Sequence, residues 1–366
     1  MNNVSSSDIW YIVLIAIFIL SFILNFTDIP QRMQLWRFAS YVRRRLVQLD
    51  EIENDIRRRL VSYLSKLNVA SPREVIDNFI NNYFLIEPVS IEPTDIIRRL
   101  AHLINVRDAN VKEYVERYIP KLQKPEKYNV IVALEIASAI NIVNKVLKHY
   151  FKLGLRNNNW ILLMQLALSM PEILRVVNAY SKALDAFSLG TPIGDGAGPL
   201  VVRYLVGSAE PKVITEDTVY YEVSLNNRRV YAIKAEGPGA TVGRPGEAVD
   251  KLIEMLGGNV ARVITVDAAL RLESEDTGEV AEGVGAAIGD VGPEKISIER
   301  AVTKYGIPLD AVVIKMSIEE AINTMTKEVY DGVLKALERV KELINSKVRE
   351  GEAVVVVGVG NTVGVL

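Results

Sequence analysis

The chain has 366 residues, 43 Lys and Arg against 45 Asp and Glu, and a net charge of −2. This balance leaves no electrostatic footprint for nucleic acid, and no nucleic-acid partner is expected. It has no cysteine and only two histidines, His102 and His149. That inventory excludes disulfide frameworks, thiolate metal sites and, in the carboxy-terminal half, any Ser-His-Asp machinery.

The first predicted element is "IWYIVLIAIFILSFILNF", Ile9 to Phe26, apolar except for Ser21 and Asn25. At about 1.5 Å per residue it just crosses a hydrocarbon core roughly 30 Å thick. No basic residue precedes it and no small-residue cleavage site follows, so an uncleaved anchor fits better than a signal peptide. Arg32, Arg37, Arg43, Arg44 and Arg45 come after it. The expectation is a single-pass membrane protein, its partner the lipid bilayer, with the N-terminus outside and the rest cytoplasmic.

From Gln34 to Leu67 one long helix is predicted. Val42, Leu46, Leu49, Ile56, Leu60, Tyr63 and Leu67 fall on a heptad seam, with Glu53 at a skipped seam position. The seam suits either a homo-oligomer through this stalk or packing on the chain's own later helices. A helix follows at "SPREVIDNFI", with Ser71, Pro72 and Glu74 in capping positions. Pro88 and Pro93 then break the chain before Thr94 caps another. Further helices are expected at about 108–123, 127–153 and 159–187. In the last, "WILLMQLALSM" reads as a short buried core run interrupted by Pro171. No catalytic motif occurs in this all-helical stretch.

Composition changes near Gly190. "VYYEVSL-NN-RRVYAIKAEG" predicts a hairpin turning at Asn226-Asn227. "GEAVDKLIEMLGG" predicts a helix and "VARVITVDAAL" a buried strand ending at Asp267. "SIERAVTKYG" then predicts a helix, "DAVVIKMS" a strand, "IEEAINTMTKEVYDGVLKALERVKELINSK" one long helix, and "EAVVVVGVGNTVGVL" a last strand. The fold class is therefore α/β: a membrane helix (1–29), an all-α region (30–187) and a mostly parallel sheet covered on both faces (188–366).

Open α/β sheets place ligands at the carboxyl ends of their strands. Three clusters fall there: "GDGAG" around Asp195; "TVDAALRLESEDTG" with Asp267, Glu273, Glu275 and Asp276; and "GVGNTVG" with Gly360 and Asn361. Two carboxylates in one cleft share a proton or activate water, or hold a divalent cation. The alternative is that Asp195 only stabilises a turn and Asp267 caps the next segment. The loop "KAEGPGATVGRPGEAVDK" offers Glu236, Gly239, Thr241 and Arg244 beside a helix start that favours an anion. It is not a P-loop, since no Gly-Lys-Ser/Thr follows. Gly194, Gly196, Glu236, Gly239, Thr241, Arg244, Asp276, Gly360 and Asn361 are expected to border the substrate cleft around Asp195 and Asp267.

The strings "IGDGAGPLVVRYL", "VDAAL", "EDTGEVAEGVG" and "YGIPLDAVVIKMS" resemble the spore germination protease and the phosphorylase/hydrolase-like fold it shares with hydrogenase maturation endopeptidases. The resemblance covers about residues 190–366. It implies two catalytic or metal-binding acids, Asp195 before Gly198-Pro199 and Asp267 before Ala268, and a Gly-x-Gly-Asn turn at Gly358, Gly360 and Asn361. In those relatives that turn comes first; here it comes last, as a circular permutation would leave it. Their nickel-binding histidine has no counterpart here. The whole chain also resembles an archaeal membrane-anchored family of unknown function. The expected activity is that of a hydrolase, with a peptidase as one form of it; the competing class is a non-catalytic tethered scaffold or ligand-binding protein.

Overall fold

The computed structural model describes residues 6–26, 29–82, 95–289 and 292–366. The breaks expected at Pro88 and Pro93 and the cap expected at Thr94 lie outside these residues. The chain divides into two compact units, residues 1–54 with 139–175, and residues 55–138 with 176–366. Among the described residues six helices form the amino-terminal part: α1 (Ser6–Phe26), α2 (Ile29–Lys66), α3 (Pro72–Asn82), α4 (Ile96–Tyr118), α5 (Lys124–Arg156) and α6 (Trp160–Leu189).

In the first unit the residues of α1 from Trp10 to Ile19 are exposed. The seam residues Val42, Leu46 and Leu49 of α2 are buried. Asn144 of α5 donates from Nδ2 to Asp50 Oδ1 and Glu53 Oε2, both at 2.6 Å, and Lys148 pairs with Asp50. Glu53 is thus tolerated on an apolar seam because an amide from a neighbouring helix satisfies it. In the second unit Ile56 and Leu60 are buried, and Arg59 Nη1 meets Asp185 of α6 at 2.9 Å. Five of the seven seam residues, Val42, Leu46, Leu49, Ile56 and Leu60, are thus buried.

Among the described residues two helices, α5 and α6, are long and apolar enough to cross a bilayer, while the described apolar stretch of α1, Trp10–Ile19, is shorter. The two helices weakly suggest membrane association. Of the apolar window of α5, 61 % is buried within the protein, as in a core helix; for α6 the share is 28 %. The helix expected over 159–187 forms; the reading of its 160–170 stretch as a buried run too short to span is corrected, since it belongs to a helix of spanning length whose apolar window is mostly uncovered. The helix continues through Pro171 for 30 residues, because losing one i→i−4 hydrogen bond costs only about 3 kcal/mol against the bonds of the flanking turns.

The rest of the second unit contains α7 (Ala197–Val206), β1 (Lys212–Thr215), β2 (Thr218–Leu225), β3 (Arg228–Ala235), α8 (Pro245–Met255), β4 (Arg262–Leu270), β5 (Val280–Val284), α9 (Pro293–Tyr305), β6 (Leu309–Met316), α10 (Ile318–Ile322), α11 (Lys327–Lys347) and β7 (Ala353–Gly358). The sheet order is β1-β2-β3-β7-β4-β6-β5. Only the inner neighbours β3, β7, β4 and β6 run parallel; β1 with β2, β2 with β3 and β5 with β6 are antiparallel. The expected mostly parallel sheet is instead a mixed one. For β1, β2 and β3 the reason is connection length, since tight turns can only reverse the chain; β5 is antiparallel to β6 although the connection between them carries α9. Asn226 and Asn227, both at positive φ, form the expected hairpin turn between β2 and β3.

Valines of β7 face helices on both sides. Val354 and Val356 pack with α7 and α11, and Val355 and Val357 with α8 and α9, which is why this strand is a continuous apolar run. The long helix expected after β6 is divided. Ser317 caps α10 with a full capping box through Glu320, and Thr326 caps α11. Between them Thr324 bridges Ile193, so tertiary pairing takes the backbone groups that a continuous helix would use.

Candidate active site

The site begins where β7 leaves the sheet. The last pair between β4 and β7 is Val266 with Gly358, whereas β4 stays paired with β6 as far as Leu270 and Met316. Asp267 is the first residue of β4 beyond β7. Ile264 and Val266 pack under α7 and α11, so strand alternation turns Asp267 to the face that α9 covers.

Asp195 reaches the same edge from a single 3-10 turn, Gly194–Gly196, that runs into α7. The turn is wedged between α10 and the end of β7. A Cβ on Gly194 would collide with the Glu320 carbonyl, one on Gly198 with the carbonyls of Val266 and Val359, and one on Gly360 with that of Asp195. Gly360 also holds φ at +132°, a conformation that favours glycine. The Asn361 N–H then donates to Asp195 Oδ2 at 2.8 Å, and Asn361 Oδ1 accepts from the Val363 N–H at 2.9 Å.

Asp195 and Asp267 line one cavity of about 460 Å³. Burial raises the Asp195 carboxyl above the usual carboxylate range, partly opposed by the Asn361 amide. Part of Asp195's surface remains open; the carboxyl itself is the desolvated portion. Burial raises Asp267 further, and the charge of Asp195 adds to the rise, against amides of Ala268 and Gly289. The Ala268 N–H donates to Asp267 Oδ1 at 2.7 Å. The charge of Asp195 opposes ionisation of Asp267, which is the more strongly raised of the two acids. A hard divalent cation can be held by one or two carboxylates with water completing its shell; among the described residues no group of three or more His, Cys, Asp or Glu gathers as metal ligands.

Gly194, Gly196, Gly360 and Asn361 adjoin Asp195 through the backbone, but none of the four is among the residues lining this cavity. The loop from Glu236 to Arg244 does not line this cavity. Thr362 holds it from behind: its N–H donates to the Thr241 carbonyl at 2.9 Å, and its hydroxyl lies 3.0 Å from the carbonyls of Gly239 and Thr241. Thr241 and Arg244 face a second cavity of about 450 Å³, together with Arg107, Lys112, Asp217 and Asn361. Glu236 pairs with Lys124 at 2.5 Å. Arg244 meets Glu216 at 2.5 Å and Glu247 at 3.6 Å. The anion expected at the start of α8 is supplied by the protein: Glu294 of α9 accepts from the Gly246 N–H at 2.6 Å and from the Glu247 amide. Asp276 is exposed and stands apart from the pair. Lys295 lines the acid cavity and escaped the sequence reading, because nothing in "GPEKIS" distinguishes it from an ordinary lysine of a helix start.

Two family models divide the chain between them. Residues 15–190 match the protein of unknown function (DUF1512) N-terminal domain, and residues 193–366 match the domain of unknown function (DUF1512) C-terminal. They meet within a few residues of the change in composition. No curated protein matched the chain. With both halves of one family matched in order, the chain belongs to the DUF1512 family.

Proposed function

We propose that the carboxy-terminal domain is a hydrolase of amide or peptide bonds that works through a proton-sharing aspartate pair. The observation that carries this reading is the placement of Asp195 and Asp267 on one cavity, with the charge of one raising the pKa of the other. Ionised Asp195 takes a proton from water as the water oxygen attacks the carbonyl carbon. Protonated Asp267 gives its proton to the leaving nitrogen as the C–N bond breaks. Products are a carboxylic acid and an amine, and the pair returns to its starting state after one proton exchange with water. Support for the phosphorylase/hydrolase-like resemblance comes from β7, which lies against the start of α7 although it is last in the chain. A circular permutation would leave it there.

The test is hydrolysis of a mixed peptide library by the detergent-solubilised full chain, compared with Asp195→Asn and Asp267→Asn. Each variant should fold and lose about 100-fold or more in rate. If wild type cleaves nothing, or cleavage survives both substitutions, the domain is a non-catalytic binding module of a tethered scaffold.

We further propose that Ile9–Phe26 anchors the chain once in the bilayer, with the N-terminus outside and the catalytic domain in the cytoplasm. Support comes from the exposed apolar surface of α1 and from the arginines that follow it, in line with the positive-inside rule.

A further inference from the structure

The acid cavity carries one cation and a largely apolar wall. Ala286, Ile288, Met316, Ile318 and Ile322 contribute to the wall, and among the described residues Lys295 is its only basic one. Lys295 is half-buried and makes no ion pair or hydrogen bond with a described residue, whereas the lysines at 112, 124, 315 and 347 each meet two carboxylates. It also sits in the first turn of α9, where a positive side chain opposes the helix dipole. Neither ion pairing nor helix stability accounts for it.

An unpaired ammonium, an apolar wall and an acid pair on one cavity describe a complementary ligand: an apolar body with a carboxylate at one end and an amide bond at the other. We infer that the cavity accepts the C-terminal apolar residue of a peptide, its free carboxylate on Lys295 Nζ and its amide toward Asp195 and Asp267. This rests on the hydrolase reading for the direction of the amide, but the recognition of an apolar carboxylate stands on Lys295 and the wall. The substrate class is then peptides ending in an apolar residue, and the reaction is removal of that residue from the carboxyl end. Lys295 is a specificity residue here: it neutralises the terminal carboxylate without touching the reacting atoms.

The probes are N-acetylleucine and N-acetylleucinamide, which differ in the charge of the terminal group, titrated calorimetrically against the full chain in detergent. Wild type should bind the acid about tenfold or more tightly than the amide, the range expected for a hydrogen bond to a charged group. Lys295→Met should erase that preference and Lys295→Arg restore it, with circular dichroism confirming the fold of each. Asp267→Asn should keep the preference, so an inert acid pair would end the hydrolase reading while leaving this result standing. Equal affinity for acid and amide in wild type, no binding of either, or a preference that survives Lys295→Met would overturn the proposal.

Discussion

Asp267 and Asp195 differ less in chemistry than in what the backbone does around them. Asp195 lies in a turn whose neighbours must be glycine, because carbonyls of three different elements approach within the space a Cβ would fill. Asp267 is the next residue of its strand after the central partner has gone. The folded pKa of Asp267 is raised through burial first and then the Asp195 charge, so the folded state binds more protons than the unfolded chain. Its contribution to stability is complete below the unfolded value of about 3.9 and is lost as pH rises through the folded value. Asp267→Asn keeps an acceptor for the Ala268 amide but cannot ionise. Its Tm relative to wild type should therefore increase between pH 4 and pH 8, by a few degrees for a change of about 1–2 kcal/mol. A thermal melt series showing no trend, or the opposite one, would remove the ionised pair from the site.

At the scale of elements, partners within the protein take groups that the sequence leaves open. The start of α8 presents amides and Arg244, a familiar anion site, yet Glu294 and Glu216 occupy both. The turn between β1 and β2 shows the same principle. Asp217, at φ +55°, accepts from Lys112 Nζ at 2.8 Å and Tyr128 Oη at 2.6 Å and pairs with Lys124 at 3.0 Å. Burial alone would raise its pKa, but the hydrogen bonds from Lys112, Tyr128 and Lys124 outweigh it and hold the group at about 2. The stability it contributes is present above the unfolded value and is lost as pH falls from about 4 toward 2. Asp217→Asn tolerates the same backbone conformation. It should lower stability at pH 7 by about 1.5–3 kcal/mol and flatten the acid limb of the unfolding curve. Urea melts at pH 7 and pH 3 check both; an unchanged acid limb would show that Asp217 is not the latch between the β1–β2 turn and helices α4 and α5.

For the whole molecule the membrane reading is the one with the largest consequence. Because the chain has no cysteine, single introduced cysteines report sidedness cleanly. Ser6→Cys should react with an impermeant maleimide in intact cells, and Glu350→Cys only after lysis. A chain beginning at Ile29 should move to the soluble fraction. If it stays with the membrane until detergent is added, the apolar surfaces of α5 and α6 hold the protein there instead of α1. The apolar seam residues of α2 from Val42 to Leu60 are buried, while Tyr63 and Leu67 are half-buried.

What the sequence determined by itself is everything that local periodicity and turn chemistry encode: the apolar first helix, the helical run after it, the Asn226-Asn227 hairpin, the valine strand with helices on both faces, and the glycines flanking Asp195. These depend on residues near one another in the chain. Tertiary structure alone decided the insertion of the last strand between β3 and β4, the antiparallel edges β1 and β5, the break between α10 and α11, and the meeting of Asp195 with Asp267. The same holds for Glu294 at the start of α8 and Lys295 on the acid cavity. Each joins segments far apart in sequence, and their relative positions follow from burying both faces of one sheet, a constraint that no short stretch of residues carries.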